Sequence, residues 1–270
     1  MTDRRESVWL GPLRQPMRKL MIASTIATGA LSFFLITGTL FFGTGIGLKQ
    51  FLSPGEIPSV ALTMIVGFVA LLSASIYFSD TRGMIEPEAK GFFDVVSLIC
   101  SRLSMIATAV IVLVMFYEVV SRYVFTKPTL WANELSLWIA GFVFLLAGLY
   151  AMQQRSHIRI YVVYDLFPRW LQKLSDVVSV ILIWAFTFML IWGGYNESRD
   201  KILRWETFGT AWDPPIPATI KPAILFIILL VAVQALSNLI ADWKKMPEHH
   251  SPIDEIDESE IEIIRRSIKD

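Results

Sequence analysis

Five stretches of this chain run 20 residues or more without Asp, Glu, Lys or Arg: 20–48, 57–79, 135–154, 177–196 and 222–241. A sixth, 103–117, has 15 residues and is extended by apolar 95–101, with Arg102 the only interruption. A helix needs about 20 apolar residues to cross about 30 Å of hydrocarbon. Five runs meet that length alone. The sixth meets it if its helix begins near Val95 or ends near Val120, leaving Arg102 a turn or two inside the boundary, where its long stem can carry the charge back to the headgroups. Strands are a poor alternative, because a membrane barrel alternates lipid-facing and polar positions. Residues 105–115, MIATAVIVLVM, carry no such alternation. The expected fold is an all-α integral membrane protein with six transmembrane helices. Four or five spans with one re-entrant or interfacial segment is the alternative.

Composition agrees. Hydrophobic residues make up 54 % and charged residues 18 %, against roughly 45–50 % and about 25 % in soluble domains. Disordered, collagen-like and disulfide-scaffold classes are excluded. The 24 basic side chains balance the 24 acidic ones, so no charge excess points to nucleic acid. Cys100 is the single cysteine and has no partner for an internal disulfide. The three histidines, His157, His249 and His250, are too few and too peripheral for most metal or haem sites. The first apolar run is far longer than the roughly 7–15 residues of a signal-peptide core, so it is read as a retained helix. It could end early at the glycine cluster Gly43, Gly45 and Gly47, which would also let another helix approach closely.

Lysine and arginine distribution sets the expected topology. The amino tail, the second and fourth connections and the residues just past the last span together hold 13 basic residues, against 7 in the other three connections. Both termini are therefore expected in the cytoplasm. The chain divides into a basic cytoplasmic tail (1–19), a transmembrane hairpin (20–80), a polar linker (81–91), a four-helix unit (92–245) and an acidic cytoplasmic tail (246–270). Ile261, Ile264 and Ile268 of that tail fall at helical spacing. Trp131, Trp205, Trp212 and Trp243 stand at boundaries or in connections, where an amphipathic ring is stable.

No span carries a central charged residue or histidine, and the chain lacks Walker A, His-Glu-x-x-His, Cys-x-x-Cys and Gly-x-Ser-x-Gly patterns. Ion-coupled carriers place ionisable or backbone-broken sites near the midplane. No enzyme activity, catalytic residue, metal ligand or cofactor is expected. A helper subunit of a larger assembly fits better than a redox or signalling anchor or a self-contained small carrier.

Two polar clusters remain. In the first, Glu118 and Arg122 share a helix face at i, i+4. Pro128 ends one helix or opens the next, and Trp131, Glu134 and Trp138 lie along one face of the helix that follows. This is either an interfacial ion pair with a tryptophan anchor, or a contact in which Glu134 finds a cation on a neighbouring helix or subunit. In the second cluster, Arg155, His157 and Arg159 follow the fourth span. They read as a positive-inside stop that also meets lipid phosphates.

At these clusters the sequence resembles the small membrane subunit, DctQ-type, of tripartite ATP-independent periplasmic (TRAP) transporters. The likeness lies in Glu118, Arg122, Tyr123, Phe125, Pro128, Trp131, Glu134, Leu135 and Trp138, then Gly148 and Ala151, then Arg155, His157, Ile158 and Arg159, and covers roughly residues 92–243. Asn133 stands where an acidic or polar residue is often found. The family unit usually has four helices, so residues 1–90 add two. The resemblance implies a scaffold in the bacterial inner membrane. It would brace a large DctM-type subunit that carries substrate and sodium ions, while a periplasmic solute-binding protein delivers an organic acid anion. Membrane lipids would be its other partners.

The charge distribution makes a direct prediction. Reporter fusions after Asp80, Ser156 and Pro247 should report the cytoplasm, and fusions near Ser53, Thr126 and Thr210 the opposite side. A non-cytoplasmic signal at Ser156 would reverse the topology.

Overall fold

A computed structural model of the chain describes residues 7–43, 46–52, 57–81, 89, 91–155, 164 and 167–243. It contains six long helices: α1 Arg14–Phe42, α2 Pro58–Ser79, α3 Phe92–Tyr123, α4 Ala132–Gln153, α5 Arg169–Leu203 and α6 Ile216–Asp242. Short 3-10 turns stand at Gly11–Leu13 and Leu48–Leu52, and no strand occurs among the described residues. All six helices are long and apolar enough to cross a membrane. Helix is what these residues must form there, because hydrocarbon offers no partner for a backbone N–H or C=O and the helix satisfies both internally.

The ends differ in detail from the uncharged runs. Helix α1 starts at Arg14, inside the stretch read as a tail, and stops where Gly43 takes the left-handed conformation (φ 62°) that caps it. Helix α3 takes in both extensions of the short third run. Its 32 residues and the 35 of α5 correspond to about 48 and 52 Å, more than the hydrocarbon alone, so these helices tilt or project into the headgroups.

The helices pack in a row. α1 lies on α2, α2 on α3, α3 on α4, α4 on α6 and α6 on α5, with a lesser contact between α3 and α6. The starts of α1, α3 and α5 share one end of this row with the stops of α2, α4 and α6. That end is called the near end here, and the opposite one the far end. Large apolar residues such as Phe34, Phe144 and Trp192 point outward. The residues α2 buries are Val60, Thr63, Ala70, Ser73, Ser75 and Ser79. Small side chains at the seams let the backbones approach. The buried α2 hydroxyls are satisfied within their own helix, as when Ser75 donates to the Leu71 carbonyl at 2.8 Å. At the α4–α6 seam a Cβ on Gly141 would lie 2.9 Å from Ile220 Cδ1.

Hydrogen bonds between helices then fix the row. Gln234 of α6 is 1 % exposed. Its amide nitrogen donates to Asp94 Oδ1 of α3 at 2.7 Å and to Asn238 Oδ1 at 3.0 Å, and its oxygen accepts from Ser97 Oγ of α3 at 3.1 Å. Asn238 in turn donates to the Met152 carbonyl of α4 at 2.7 Å. One polar chain thus ties α3, α4 and α6.

The hairpin is held by Asp80, which follows α2 and is wholly buried. Its Oδ1 accepts from Ser7 Oγ and from the backbone N–H of Trp9 and Leu10, each at 2.9 Å, and its Oδ2 lies 3.4 Å from Arg14 Nε. The segment before α1 is therefore strapped across the stop of α2. Arg102 of α3 donates to the Thr81 carbonyl at 3.3 Å, joining the hairpin to the rest at the near end. At the far end Trp205 Nε1, after α5, donates to the Leu52 carbonyl at 3.4 Å.

Asp80→Ala should destabilise the protein by about 3 kcal/mol, because it removes the acceptor of the Trp9 and Leu10 N–H groups, the second of them buried. Asp80→Asn should cost less, since the amide oxygen can still accept. Thermal unfolding of the purified protein in detergent measures both. An alanine variant as stable as the parent would show that the strap holds without its carboxylate.

Candidate functional site

The residues of the first polar cluster gather at the far end, around the α3–α4 and α5–α6 connections. Glu118 lies on the last turns of α3 and is 2 % exposed. Its Oε1 accepts from Arg122 Nε at 2.9 Å and also from Arg122 Nη2. Its Oε2 accepts from the Thr129 N–H at 3.0 Å and from the Thr129 hydroxyl. The Thr129 oxygen accepts from the Ala132 N–H at 3.4 Å, at the first turn of α4. A single carboxylate thereby folds the connection back onto α3 and helps start α4. Pro128 is exposed within that connection, four residues ahead of α4. Trp131 precedes α4, and its ring stacks on Tyr117 of α3 with 5.8 Å between centroids.

Glu134 and Trp138 face the other way, toward the α5–α6 connection. Glu134 Oε2 accepts from Thr210 Oγ1 at 2.7 Å and from the Asp213 N–H at 3.2 Å. Trp138 Nε1 donates to Thr219 Oγ1 of α6 at 2.7 Å, and its ring meets Trp212 edge to face at 6.5 Å. The connection they grip is tightly wound. Trp205, Gly209 and Asp213 all have positive φ, and Asp213 Oδ1 accepts from the Gly209 N–H at 2.6 Å. That backbone hydrogen bond, first among several, holds the Asp213 carboxyl below the usual carboxylate range. The stabilisation it contributes is present at neutral pH and is lost only as pH falls through the lowered folded value.

The structure therefore separates two residues that the sequence pattern places side by side. Arg122 belongs with Glu118, and Glu134 belongs with the α5–α6 connection, where a hydroxyl and a backbone N–H rather than a cation hold it. Trp131 likewise leaves the face shared by Glu134 and Trp138 and packs on α3.

At the near end, Arg155 follows α4 and grips Asp242 at the stop of α6, with Nε to Oδ2 at 2.5 Å and Nη2 to Oδ1 at 3.0 Å. Its φ of 56° is unusual for an arginine and places the guanidinium over that helix end. His157 and Arg159 lie outside the described residues. Among the described residues no group of three His, Cys, Asp or Glu side chains is placed to hold a metal ion.

Several residues in these contacts escaped the sequence reading: Asp80, Thr129, Thr210, Asp213, Gln234, Asn238 and Asp242. A signal existed for two of them. Gln234 and Asn238 are i, i+4 within an uncharged run whose remaining residues are apolar but for Ser237, the spacing of an inward polar face. Ser97, Ser101, Ser104 and Thr108 mark a comparable stripe on α3.

Comparison with known proteins places this four-helix arrangement. A family model described as the DctQ component of tripartite ATP-independent periplasmic transporters matches residues 111–245, half of the chain. The chain belongs to that family. The match opens midway along α3 and takes in α4, α5 and α6, so the α1–α2 hairpin lies ahead of it. The chain is similar to the C4-dicarboxylate TRAP transporter small permease protein DctQ of Vibrio cholerae, at 30 % identity over 111 residues, which is 39 % of this chain and 45 % of that protein. It is also similar to the sialic acid TRAP transporter permease protein SiaT of Haemophilus influenzae, at 23 % identity over 122 residues, 45 % of this chain and 20 % of that one. The chain thus matches less than half the length of either curated relative. No solved structure matches it.

The geometry predicts how substitutions in this DctQ-family unit combine. Glu118→Gln and Arg122→Gln should fail to add in thermal unfolding, because they break one shared contact. Glu134→Gln and Arg122→Gln should add to within about 0.5 kcal/mol, because they have no partner in common. Strong coupling in the second pair would show that the two connections act as one unit.

Proposed function

We propose that this chain is the small permease subunit of a TRAP transporter and that it acts as a static brace. In this reading it lies in the bacterial inner membrane with both termini in the cytoplasm. Beside it a large DctM-type subunit carries substrate and sodium ions, and a periplasmic solute-binding protein delivers an organic acid anion. The chain itself does no chemistry and carries no cargo.

The observation that supports this reading is the use made of the buried polar side chains. Gln234, Asn238, Asp94 and Ser97 spend their hydrogen bonds on one another across α3 and α6, and Asn238 reaches α4. Glu118 and Asp242 are likewise committed at the two ends of the unit. A transport site needs polar groups that exchange one partner for the cargo and then release it. Groups already paired in a low-dielectric interior resist such exchange, because each opened pair leaves a polar atom unsatisfied. A rigid unit of this kind gives a moving neighbour something fixed to move against.

Proteoliposomes containing only this chain should accumulate no organic acid under a sodium gradient. Adding the large subunit and the binding protein should restore uptake, and omitting this chain should reduce or abolish it. Sodium-dependent uptake by the chain alone would overturn the proposal.

A further inference from the structure

Beside the stop of α3 the surface opens into a cleft of about 280 Å³ lined by Tyr117, Val120, Ser121, Phe125 and Lys127. Its construction is specific. Ser121 Oγ donates to the Lys127 carbonyl at 2.5 Å, and the Lys127 N–H donates back to the Ser121 carbonyl at 2.9 Å. This reciprocal pair bends the chain over the stop of α3, and Thr126 takes a positive φ of 53° to complete the bend, a conformation that costs energy for a non-glycine residue. The result is that Lys127 sits on the rim of the cleft. Tyr117, a turn and a half inside α3, forms the floor and is backed by the stacked ring of Trp131.

The charges around the cleft are not balanced. Glu118 is turned away, buried against Arg122 and Thr129, and that pair is neutral. Lys127 is exposed, and its ammonium has no ion-pair partner among the described residues. The cleft therefore offers a positive rim on the α3–α4 connection beside an apolar, aromatic floor on the last turns of α3. An amphiphile with an anionic head matches that order of charge and apolarity.

We propose that this cleft is a binding site for an anionic glycerophospholipid, with the headgroup phosphate on Lys127 and the first acyl carbons against Tyr117, Val120 and Phe125. The site is separate from the Arg155 region at the near end, and it does not depend on the proposed role in transport. A lipid held here would cover the α3–α4 connection that Glu118 folds.

Native mass spectrometry of the full-length protein, delipidated in detergent and titrated with phosphatidylglycerol or phosphatidylcholine, tests the assignment. Phosphatidylglycerol should bind more tightly. Lys127→Gln should weaken it about fivefold, the factor expected for one basic residue at an anionic surface, and should leave phosphatidylcholine unchanged. Lys127→Arg should keep the preference. Val120→Trp, which fills the cleft but keeps the charge, should remove one tightly bound phosphatidylglycerol. Equal binding of the two lipids, or unaltered phosphatidylglycerol binding by Lys127→Gln or Val120→Trp, would overturn the proposal.

Discussion

A lipid tail is as apolar as leucine, so pressing leucine against leucine gives membrane helices no reason to associate. Everything that orders this chain follows from that constraint. Its helices meet through small residues and through hydrogen bonds that lipid cannot offer. The Gln234 chain is the clearest case. It joins α3, α4 and α6 with side chains that are tolerated in the interior only because each has a partner. Many large side chains, such as Phe34, Phe144 and Trp192, face outward, and a small cluster of Leu146, Leu149 and Ile227 is buried between α4 and α6.

The same logic explains why the ends of the helices carry so much of the structure. Charged residues are stable only near the headgroups, so that is where ion pairs can be built. Glu118 ties α3 to the connection that begins α4, Arg155 ties α4 to α6, and Asp80 straps the segment before α1 to the stop of α2. Each tie closes a pair of neighbours in the row. Together with the interior network they leave α5, held along one side by α6, at one end of the row, with α1 at the other. The α1–α2 hairpin is not a loose appendage. It packs on α3 and touches the other four helices and their connections at both ends, through Thr81 and through Leu52.

This arrangement bears on how DctQ-family residues are read. Glu118, Arg122, Trp131, Glu134 and Trp138 stand within 21 residues of one another and look like one cluster. They belong to two. One folds the α3–α4 connection back on α3, and the other fastens α4 to the α5–α6 connection. A substitution at Glu134 therefore acts on the packing of α4 against the α5–α6 connection, a different contact from the one that Glu118 controls.

The number of spans, their helical nature and their approximate limits were legible from the sequence, because the cost of a charge or an unpaired backbone group in hydrocarbon applies residue by residue. The Glu118–Arg122 pair was legible for a similar reason, since helix geometry alone brings i and i+4 together. The order α1, α2, α3, α4, α6, α5 in the row was not, because apolar faces of similar composition do not say which neighbour they prefer. Nor were the hydrogen-bond partners of Asp80 and Glu134, or those that Gln234 finds on α3, which lie 70 or more residues away along the chain. Such bonds depend on the rotation and depth of two helices at once, and packing of small residues at the seams sets both. Only the tertiary structure could decide them.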